Sequence, residues 1–392
     1  MRPLEGRSAR GPSSRRRSGR STVSTHQRAH EAGGIREVRR PRLKAALRRV
    51  ARDPRTLQFG LHPQRASVLH DLEPPVLRVI EGLDGTRELR QVVADAAKEG
   101  LAEEQARTLI GMLAQRGVLD DAAFPPPLTS LSLAERDRLQ ADLDALSLHP
   151  ETTDGGAAVM ERRRAAHVRV YGAGRVGAQI AVLLAASGVG NLCVGDTAIA
   201  RPRDVVPGGL GWSAVGAPRH DGAVASARAV APGINAWTSA FASHPADRAH
   251  RPDLAILAPV EPLDQILVAD LAEAGIPHLL VSAFEGLGVI GPLVQPGLTA
   301  CLRCLDLARR DRDPAWPTVS ARLGGYPAGE VACDTVTATI VAATAAGQAL
   351  SWIDEKKSIV TNGTLDVLQI WGWRRRSWSV HPQCRCSRNQ LH

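Results

Sequence analysis

The segment His167-Val-Arg-Val-Tyr-Gly-Ala-Gly-Arg-Val-Gly177 decides the fold of this chain. Its apolar start predicts a buried strand, and residues 176–186 predict the helix that follows. The three glycines between them have the Gly-x-Gly-x-x-Gly spacing of a nucleotide-binding turn. In such a turn, Gly172 permits the tight bend, Gly174 lets a ligand approach the backbone, and Gly177 lets the helix pack on the strand.

The residues after this turn complete a strand–helix–strand unit. Residues 191–194 predict the second strand, which leads to Asp196. Asp196 lies 22 residues after Gly174, where an acidic side chain contacts ribose hydroxyls in dinucleotide-binding folds. The register of glycines, helix, second strand and acid predicts a nucleotide-binding fold. The alternative is a domain that has lost its ligand and in which the glycines serve only the turn.

The rest of the chain continues this alternation, which predicts an α/β fold with a doubly wound, Rossmann-like sheet. Apolar residues make up 44% of the 392 residues and aromatic residues only 3%, so aliphatic side chains must fill the core. The further elements expected are strands at 253–258 and 278–282, helices at 262–274 and 335–353, and a terminal hairpin with strands at 365–371 and 377–380.

The net charge of +9 is concentrated at the amino end of the chain. Residues 1–40 contain 11 Arg and 3 Glu, a net charge of +8, which leaves 9 − 8 = +1 for the remaining residues. Blocks of like charge are usually disordered, so we expect residues 1–40 to form a disordered basic tail. The nearly neutral remainder argues against specific nucleic-acid binding.

The longest stretches without charge predict core helices of a cytoplasmic protein. Residues 176–195 are interrupted by glycines, and residues 335–353 are rich in Ala and Thr. Both fit buried helices better than a membrane span. No apolar segment of a secretory signal follows the arginines of the tail. Disulfides are therefore not expected, and clustered cysteines in the cytoplasm more often bind metal or react.

Residues 41–123 predict a small winged-helix-like α+β domain, with strands near 56–60 and 66–69 followed by three helices. Such a domain could bind DNA, but its third helix mixes Glu103 and Arg107 and has no basic recognition face. A module with exposed strand edges can instead bind an extended peptide by strand addition.

A proline-rich break separates this domain from the rest of the chain. Phe124-Pro-Pro-Pro127 is stiff, and a helix is expected at 131–146, so residues 124–156 form a linker that contains a helix. Residues 157–392 then form the second domain. Its terminal segment mixes Trp and Arg around Gly372, which fits either a single-stranded nucleic-acid platform or a solvated hairpin. We favour the hairpin.

The cysteines predict a structural zinc site. Cys301 and Cys304 form a Cys-x-x-Cys pair, and Cys384 and Cys386 form a Cys-x-Cys pair. Four thiolates suit tetrahedral zinc and leave no open position for catalysis. His381 is an alternative ligand. The rival interpretation is a redox Cys-x-x-Cys, which normally opens a helix after a thioredoxin-type strand, and Cys193 is expected to be a small hydrophobic core residue.

Together these motifs resemble the ThiF/MoeB/HesA superfamily, relatives of ubiquitin-activating enzymes, over about residues 160–388. The segments that carry the resemblance are Gly172–Gly177, Asp196, Gly291-Pro-Leu-Val-Gln-Pro-Gly297, Cys301–Cys304, and His381-Pro-Gln-Cys-Arg-Cys386. The pattern of residues 57–61, 83–86 and 117–120 resembles the PqqD-like domain that holds leader peptides. The whole chain is similar to the ThiF-like partner proteins of peptide cyclodehydratases, and the resemblance implies a homodimer.

The resemblance also implies an ATP and magnesium site, because active members adenylate a protein C-terminal carboxylate with Mg-ATP. The family supplies Asn and Arg after the ribose acid, then a Lys, then an Asp for magnesium. In this chain Arg201 and Arg203 follow Asp196, out of register. Arg219 stands at the Lys position, and only Glu261 lies near the position of the Asp. These replacements predict a degenerate ATP site.

Two residues are candidates for catalysis. Arg219 keeps the charge of the Lys, with a different geometry. Some family members relay an acyl group onto a cysteine, and Cys333 precedes the helix expected at 335–353. A helix amino terminus lowers the pKa of a thiol. The alternative is that Cys333 is a buried structural cysteine.

The sequence leaves three functions open. The leading hypothesis is a recognition protein that binds a precursor or leader peptide through residues 41–123 and presents it to a modifying enzyme such as a cyclodehydratase. The second is an active ATP-dependent adenylyltransferase that acts on a carrier-protein or peptide carboxylate. The third, a nicotinamide oxidoreductase, has no visible catalytic constellation and leaves the four cysteines unexplained.

Overall fold

The computed structural model describes residues 38–126, 128–239, 251–260, 263–322, 332–368 and 372–386. Residues 37–392 belong to one compact unit. The expected tail over residues 1–40 therefore lies almost entirely outside the described residues, as do Glu261 and Trp371.

The first part of the described chain contains two small antiparallel sheets and three helices. Strands β2, β3 and β4 form one sheet, and β1 pairs with β5. The strands are β1 (Pro41–Leu43), β2 (Arg49–Asp53), β3 (Thr56–Phe59), β4 (Ser67–Leu69) and β5 (Leu119–Asp121), and the helices are α1 (Pro74–Glu81), α2 (Leu89–Lys98) and α3 (Glu103–Gln115). The two strands and three helices expected from the sequence are present, and β1, β2 and β5 are additional.

A separate hydrophobic core fills this part, in which Phe59, Ile80 and Leu113 are buried. Buried Lys44 connects this part to residues 147–152, at the end of the following helix, because its ammonium donates to the backbone carbonyls of Ser147, His149 and Thr152. Its Nζ also lies 3.7 Å from the Asp120 carboxylate. Burial lowers the pKa of Lys44, and the charge of Asp120 opposes that effect.

The second part is built on an eight-stranded sheet with the order β13-β12-β11-β10-β9-β6-β7-β8. Strands β6 to β10 are parallel, and β11 to β13 continue the sheet in antiparallel fashion. This confirms the predicted doubly wound α/β fold. The strands are β6 (His167–Tyr171), β7 (Asn191–Gly195), β8 (Asn235–Thr238), β9 (Leu254–Leu257), β10 (His278–Phe284), β11 (Leu287–Val294), β12 (Gly363–Val367) and β13 (Trp373–Ser377).

Helices pack on both faces of this sheet. The helices are α4 (Leu133–Ser147), α5 (Ala157–Ala165), α6 (Gly177–Ala186), α7 (Arg219–Val230), α8 (Gln265–Glu273), α9 (Leu302–Arg312), α10 (Trp316–Arg322) and α11 (Thr335–Ile353). Residues of α6, α7 and α11 share the main core with the sheet, and α8 packs in a second cluster with Ala255 and Leu257 of β9.

Helix α11 alone among the described helices is long and apolar enough to cross a membrane. Its Val341, Ala342, Ala345 and Ala349 are fully buried in the main core. The apolar character of α11 is therefore accounted for by packing on the sheet, as expected for a core helix.

The end of the sheet differs from the sequence prediction in two ways. The Gly/Pro-rich run from Gly286 to Gly297, for which the sequence predicts no element, contains strand β11. Gly288 lets this strand pack closely on α11, because a Cβ there would lie 2.2 Å from the side chain of Val341. The last strand is Trp373–Ser377 and not 377–380. It is an edge strand with exposed arginines, so it has no apolar alternation to mark it.

Candidate functional site

The carboxyl ends of β6 and β9 face a cavity of about 190 Å³. In the sheet, β7 lies next to β6 and β10 lies next to β9, so the strand order runs in opposite directions on the two sides of this point. Ligands of open α/β sheets bind at such a reversal. The lining residues are Gly174, Arg175, Val176, Arg203, Asp204, Ala258, Pro259, Val260, Val281, Ala283 and Cys333.

The glycine turn borders this cavity and is packed tightly against the protein itself. At Gly172, with φ of 95°, a Cβ would lie 2.1 Å from the carbonyl oxygen of Ala258. A Cβ at Gly177 would lie 1.9 Å from the carbonyl oxygen of Gly172, and one at Gly174 would lie 2.4 Å from the side chain of Val260. The packing of the turn therefore requires all three glycines, whether or not a ligand binds.

Asp196 lies directly after β7, and its carboxylate is bonded to the protein. It accepts hydrogen bonds from the backbone amides of Ala173, at 2.7 Å, and Ala198, at 3.0 Å. Its Oδ2 is also 3.7 Å from the guanidinium of Arg219. Both carboxylate oxygens therefore hold the glycine turn and the following loop in place, and the predicted ribose contact stays a prediction.

Arg219 is buried and paired with Asp204. Its Nε donates to Oδ2 of Asp204 at 3.0 Å, and its Nη2 donates to Oδ1 at 3.3 Å. Asp204 also accepts from the amide of Arg201 at 2.8 Å. Asp204 lines the cavity and Arg219 does not. Arg219 thus neutralises and orients a carboxylate at the cavity wall, and its guanidinium is already occupied.

Two other arginines border the cavity. Arg203, a candidate replacement for the family's Arg, does line the cavity. Arg175 is not predicted from the sequence because it occupies a variable position of the glycine motif. Its guanidinium donates to the carbonyl oxygen of Arg203 at 2.6 Å and to the hydroxyl of Thr335. Arg201 is exposed and lies outside the lining.

Cys333 is half-buried at the cavity, but its environment does not activate the thiol. Burial raises its pKa, although the charge of Arg175 acts in the opposite direction. The amino end of α11 is already capped by Asp334, whose carboxylate accepts from the amides of Val336 and Thr337. The expectation that the helix amino terminus lowers the pKa of this thiol is therefore wrong.

The two predicted cysteine pairs come together at one place, with all four sulfur atoms within 4.8 Å of one another. The Sγ–Sγ distances are 3.7 Å for Cys301–Cys304, 3.6 Å for Cys301–Cys384 and 3.5 Å for Cys304–Cys386. Disulfide sulfurs lie only about 2.05 Å apart. A tetrahedral zinc with Zn–S bonds of about 2.3 Å has S–S edges of about 3.8 Å, so the four cysteines could hold a metal ion.

The four sulfurs affect one another's ionisation. Burial and the neighbouring Cys304 and Cys384 sulfurs raise the pKa of Cys301 to about 11. Burial and the other sulfurs likewise raise the pKa of Cys386. For Cys384 burial acts in the same direction, but hydrogen bonds from Cys386, Cys304 and Cys301 outweigh it and lower the pKa. A metal ion would have to displace the protons of the thiols whose pKa is raised. The backbone amide of His381 donates to Cys304 Sγ at 3.3 Å. Hydrogen bonds of this kind orient the ligands in metal sites.

His381 itself is not part of the cluster. Its Nε2 lies 2.8 Å from the carboxylate of Asp311, and its Nδ1 accepts from the amide of Gln383. The Cys-x-x-Cys does open a helix, since Cys301 is the N-cap of α9. That criterion for a redox motif is met, and the convergence of four sulfurs is what favours a metal. Cys193 is fully buried in β7, as expected.

Comparison with known proteins identifies the family. A model of the ThiF family matches residues 148–388. This chain belongs to the ThiF family. A search of curated proteins finds no match.

Solved structures share the fold of this ThiF-family chain. The microcin C7 biosynthetic enzyme MccB in complex with N-formylated MccA is 15% identical, with a TM-score of 0.66, over 88% of this chain and 99% of that one. E. coli MccB with ATP is 14% identical over the same shares, also with a TM-score of 0.66. PaaA is 20% identical, with a TM-score of 0.64, over 86% of this chain and 100% of that one.

Proposed function

We propose that this ThiF-family protein recognises a ribosomally made precursor or leader peptide and presents it to a modifying enzyme such as a cyclodehydratase. The observation that carries the proposal is the open sheet of the N-terminal module, residues 41–123. The likeness to MccB bound to MccA extends over 88% of the chain, more than the ThiF match of residues 148–388. It therefore reaches into the region before residue 148.

Strand β4 is the edge that we assign to the peptide. In the described residues, β2 and β4 each pair only with β3. All five residues of β2 are exposed. Beside β4, in contrast, the end of α3 lines the edge, because Arg116 donates to Ser67 Oγ at 3.2 Å and to the carbonyl oxygen of Val68 at 3.4 Å. An extended peptide could pair with β4 along this edge.

The cavity beside the glycine turn supports peptide recognition rather than catalysis. Asp196 and Arg219 are both engaged by protein groups, and the cavity of about 190 Å³ is smaller than the roughly 300–1,000 Å³ typical of small-molecule sites. Val260 lines the cavity, and in sequence it directly precedes Glu261, the residue near the position of the family's magnesium ligand. We propose that the ATP site is degenerate, that the cysteine cluster holds structural zinc, and that the protein works in the cytoplasm as a homodimer.

Blocking the edge of β4 is expected to weaken peptide binding. The Gly60 amide donates to the Arg48 carbonyl, so the even-numbered residues at this end of β3 form their backbone hydrogen bonds with β2. Leu57 and Phe59 therefore form theirs with β4. Val68, which lies between their partners, has its amide facing away from β3. Val68→Pro removes that donor, and a lost hydrogen bond plus a ring clash costs about 1.4 kcal/mol or more, roughly tenfold in Kd. Fluorescence anisotropy with labelled leader segments of precursor peptides encoded beside this gene measures the change.

Val68→Thr is the matched control, because it keeps both the amide and the branched shape. We expect its Kd to stay within about twofold of the wild type. Thermal melts of both variants check that the module folds. Equal binding by Val68→Pro and Val68→Thr, or no binding of any leader segment at high micromolar concentration, contradicts the proposal.

ATP–pyrophosphate exchange separates recognition from the second candidate, an active adenylyltransferase, which the ThiF membership favours. We expect no exchange above background with any leader or carrier peptide. Exchange that is abolished by Asp196→Ala would establish the adenylyltransferase instead. Asp221→Ala, an exposed acid on α7, is the control for nonspecific loss of charge.

A further inference from the structure

Within the described residues, the outer edge of the eight-stranded sheet has no further strand paired to it. Strand β13 is its last strand and pairs with β12 alone among the described residues. Trp373, at the start of β13, is 52% exposed. The side chains of β13 are exposed apart from half-buried Arg376. An exposed edge of this length is a template for pairing with another chain.

The hydrogen bonds at both ends of the β12–β13 pair show which backbone groups are free. The amide of Leu368 donates to the carbonyl of Gly372 at 3.0 Å, and the amide of Trp378 donates to the carbonyl of Asn362 at 2.9 Å. Because inward and outward pairs alternate in an antiparallel ladder, residues with even numbers point toward β12. The outward backbone groups are those of Trp373, Arg375 and Ser377.

This edge carries an excess of positive charge. Arg374 and Arg375 are exposed on β13, and Arg312 is exposed on the adjacent helix α9. The guanidinium of Arg312 lies 5.5 Å from the ring of Trp378, which directly follows β13. Within the described chain, none of these three arginines has an acidic partner within 4 Å. Arg376 does, with Asp366 at 2.7 Å.

The charge decides what can occupy the edge. A second copy of β13 in antiparallel register centred on Arg375 would place Arg375 opposite Arg375 and Arg374 opposite Arg376. Like charges directly opposite one another destabilise a strand pair. This register of a second copy is therefore disfavoured, and the three arginines without acidic partners favour an occupant that brings negative charge. The outward backbone groups suit an extended polypeptide.

We propose that β13 accepts an extended acidic segment of a partner protein as a ninth strand of the sheet, with alternate Asp or Glu side chains facing Arg312 and Arg374. This surface is distinct from β4, and it does not depend on the function proposed above. It lies beside the cysteine cluster, since Trp378 packs with Cys304 and Cys384. The metal-binding segment thus supports the strand that the partner would pair with.

The test uses a fluorescein-labelled ten-residue peptide of alternating Glu and Thr, titrated against the full chain by anisotropy. Ser377→Pro removes one outward amide without changing charge, and proline is tolerated where an edge amide faces solvent. Ser377→Ala loses the same hydroxyl contact with Arg375 and keeps the amide. We expect Ser377→Pro to raise Kd about tenfold and Ser377→Ala to leave it within twofold.

Charge variants and a second probe complete the test. Arg312→Gln and Arg374→Gln should each raise Kd about threefold, the size of an exposed ion pair, and a peptide of alternating Lys and Thr should not bind. Binding of the acidic peptide that is insensitive to Ser377→Pro overturns the proposal. Tighter binding of a ten-nucleotide oligo-dT that displaces the peptide also overturns the proposal. The absence of any binding overturns it too, and would mean that the arginines protect the edge strand from pairing with other chains.

Discussion

Replacing Cys384 by serine is expected to abolish metal binding and to destabilise the end of the chain. The wild-type protein, purified under reducing conditions, should contain one zinc ion per chain, and Cys384→Ser should contain well below one tenth of that. Structural zinc contributes about 10–16 kcal/mol to the folding of small zinc domains. Here the cluster joins the segment after β13 to α9, so its loss should lower Tm by on the order of 10 °C.

Cys333→Ser is the matched control for this experiment. Cys333 is a half-buried cysteine of the same chain that lies outside the cluster. It should keep the full zinc content and a Tm within about 2 °C of the wild type. Metal content by mass spectrometry and thermal unfolding by circular dichroism give both values. A wild-type protein without zinc, or a Cys384→Ser protein that retains it, contradicts the assignment.

The parts of the fold that the sequence predicts well have strong periodicity. The unit from β6 to β7 lies within about two residues of its expected bounds, and α1, one of the three helices expected in residues 41–123, buries Val79 and Ile80 on its apolar face. In both cases a continuous pattern of apolar residues coincides with the buried face. Where the local pattern and the tertiary packing agree in this way, the sequence alone is sufficient to predict the element.

The missed elements depend on partners that are distant in sequence. Strand β1 has three residues and pairs with β5 in a register that joins Pro41 to Asp121. So short a strand has no period of its own. Strand β8 and helix α7 were not predicted either, since α7 contains buried Arg219 and His220, which dilute its apolar face.

In the candidate site, too, features with a local sequence pattern could be predicted and features that depend on distant residues could not. Cysteine spacing was sufficient to predict that the four sulfurs of the cluster converge, because closely spaced thiols have few structural uses. The pairing of Asp204 with Arg219 was not predictable, since a short helical turn at 202–204 and the start of α7 bring them together in space. Arg175 was overlooked because the glycine motif leaves its position variable, and only the cavity shows that its side chain matters.

Replacing Gly177 by alanine is expected to destabilise the nucleotide-type domain severely. The new Cβ would lie 1.9 Å from the carbonyl oxygen of Gly172 and 3.3 Å from the Cβ of Ala258. Backbone atoms cannot give way as a flexible side chain can, so α6 must shift away from the turn. A cost of about 4 kcal/mol or more is expected, in the range of severe core substitutions.

Gly347→Ala provides the matched control, since it makes the same change in another helix. Gly347 is exposed on α11, and a Cβ there would have no atom within 4 Å. Alanine in a helix interior is favoured over glycine by about 0.5–1 kcal/mol, so this variant should be slightly more stable than the wild type. Urea unfolding of the two variants should therefore give shifts of opposite sign. Equal and small shifts would mean that the tight glycine turn at 172–177 is not a rigid part of the structure, and that packing alone does not require these glycines.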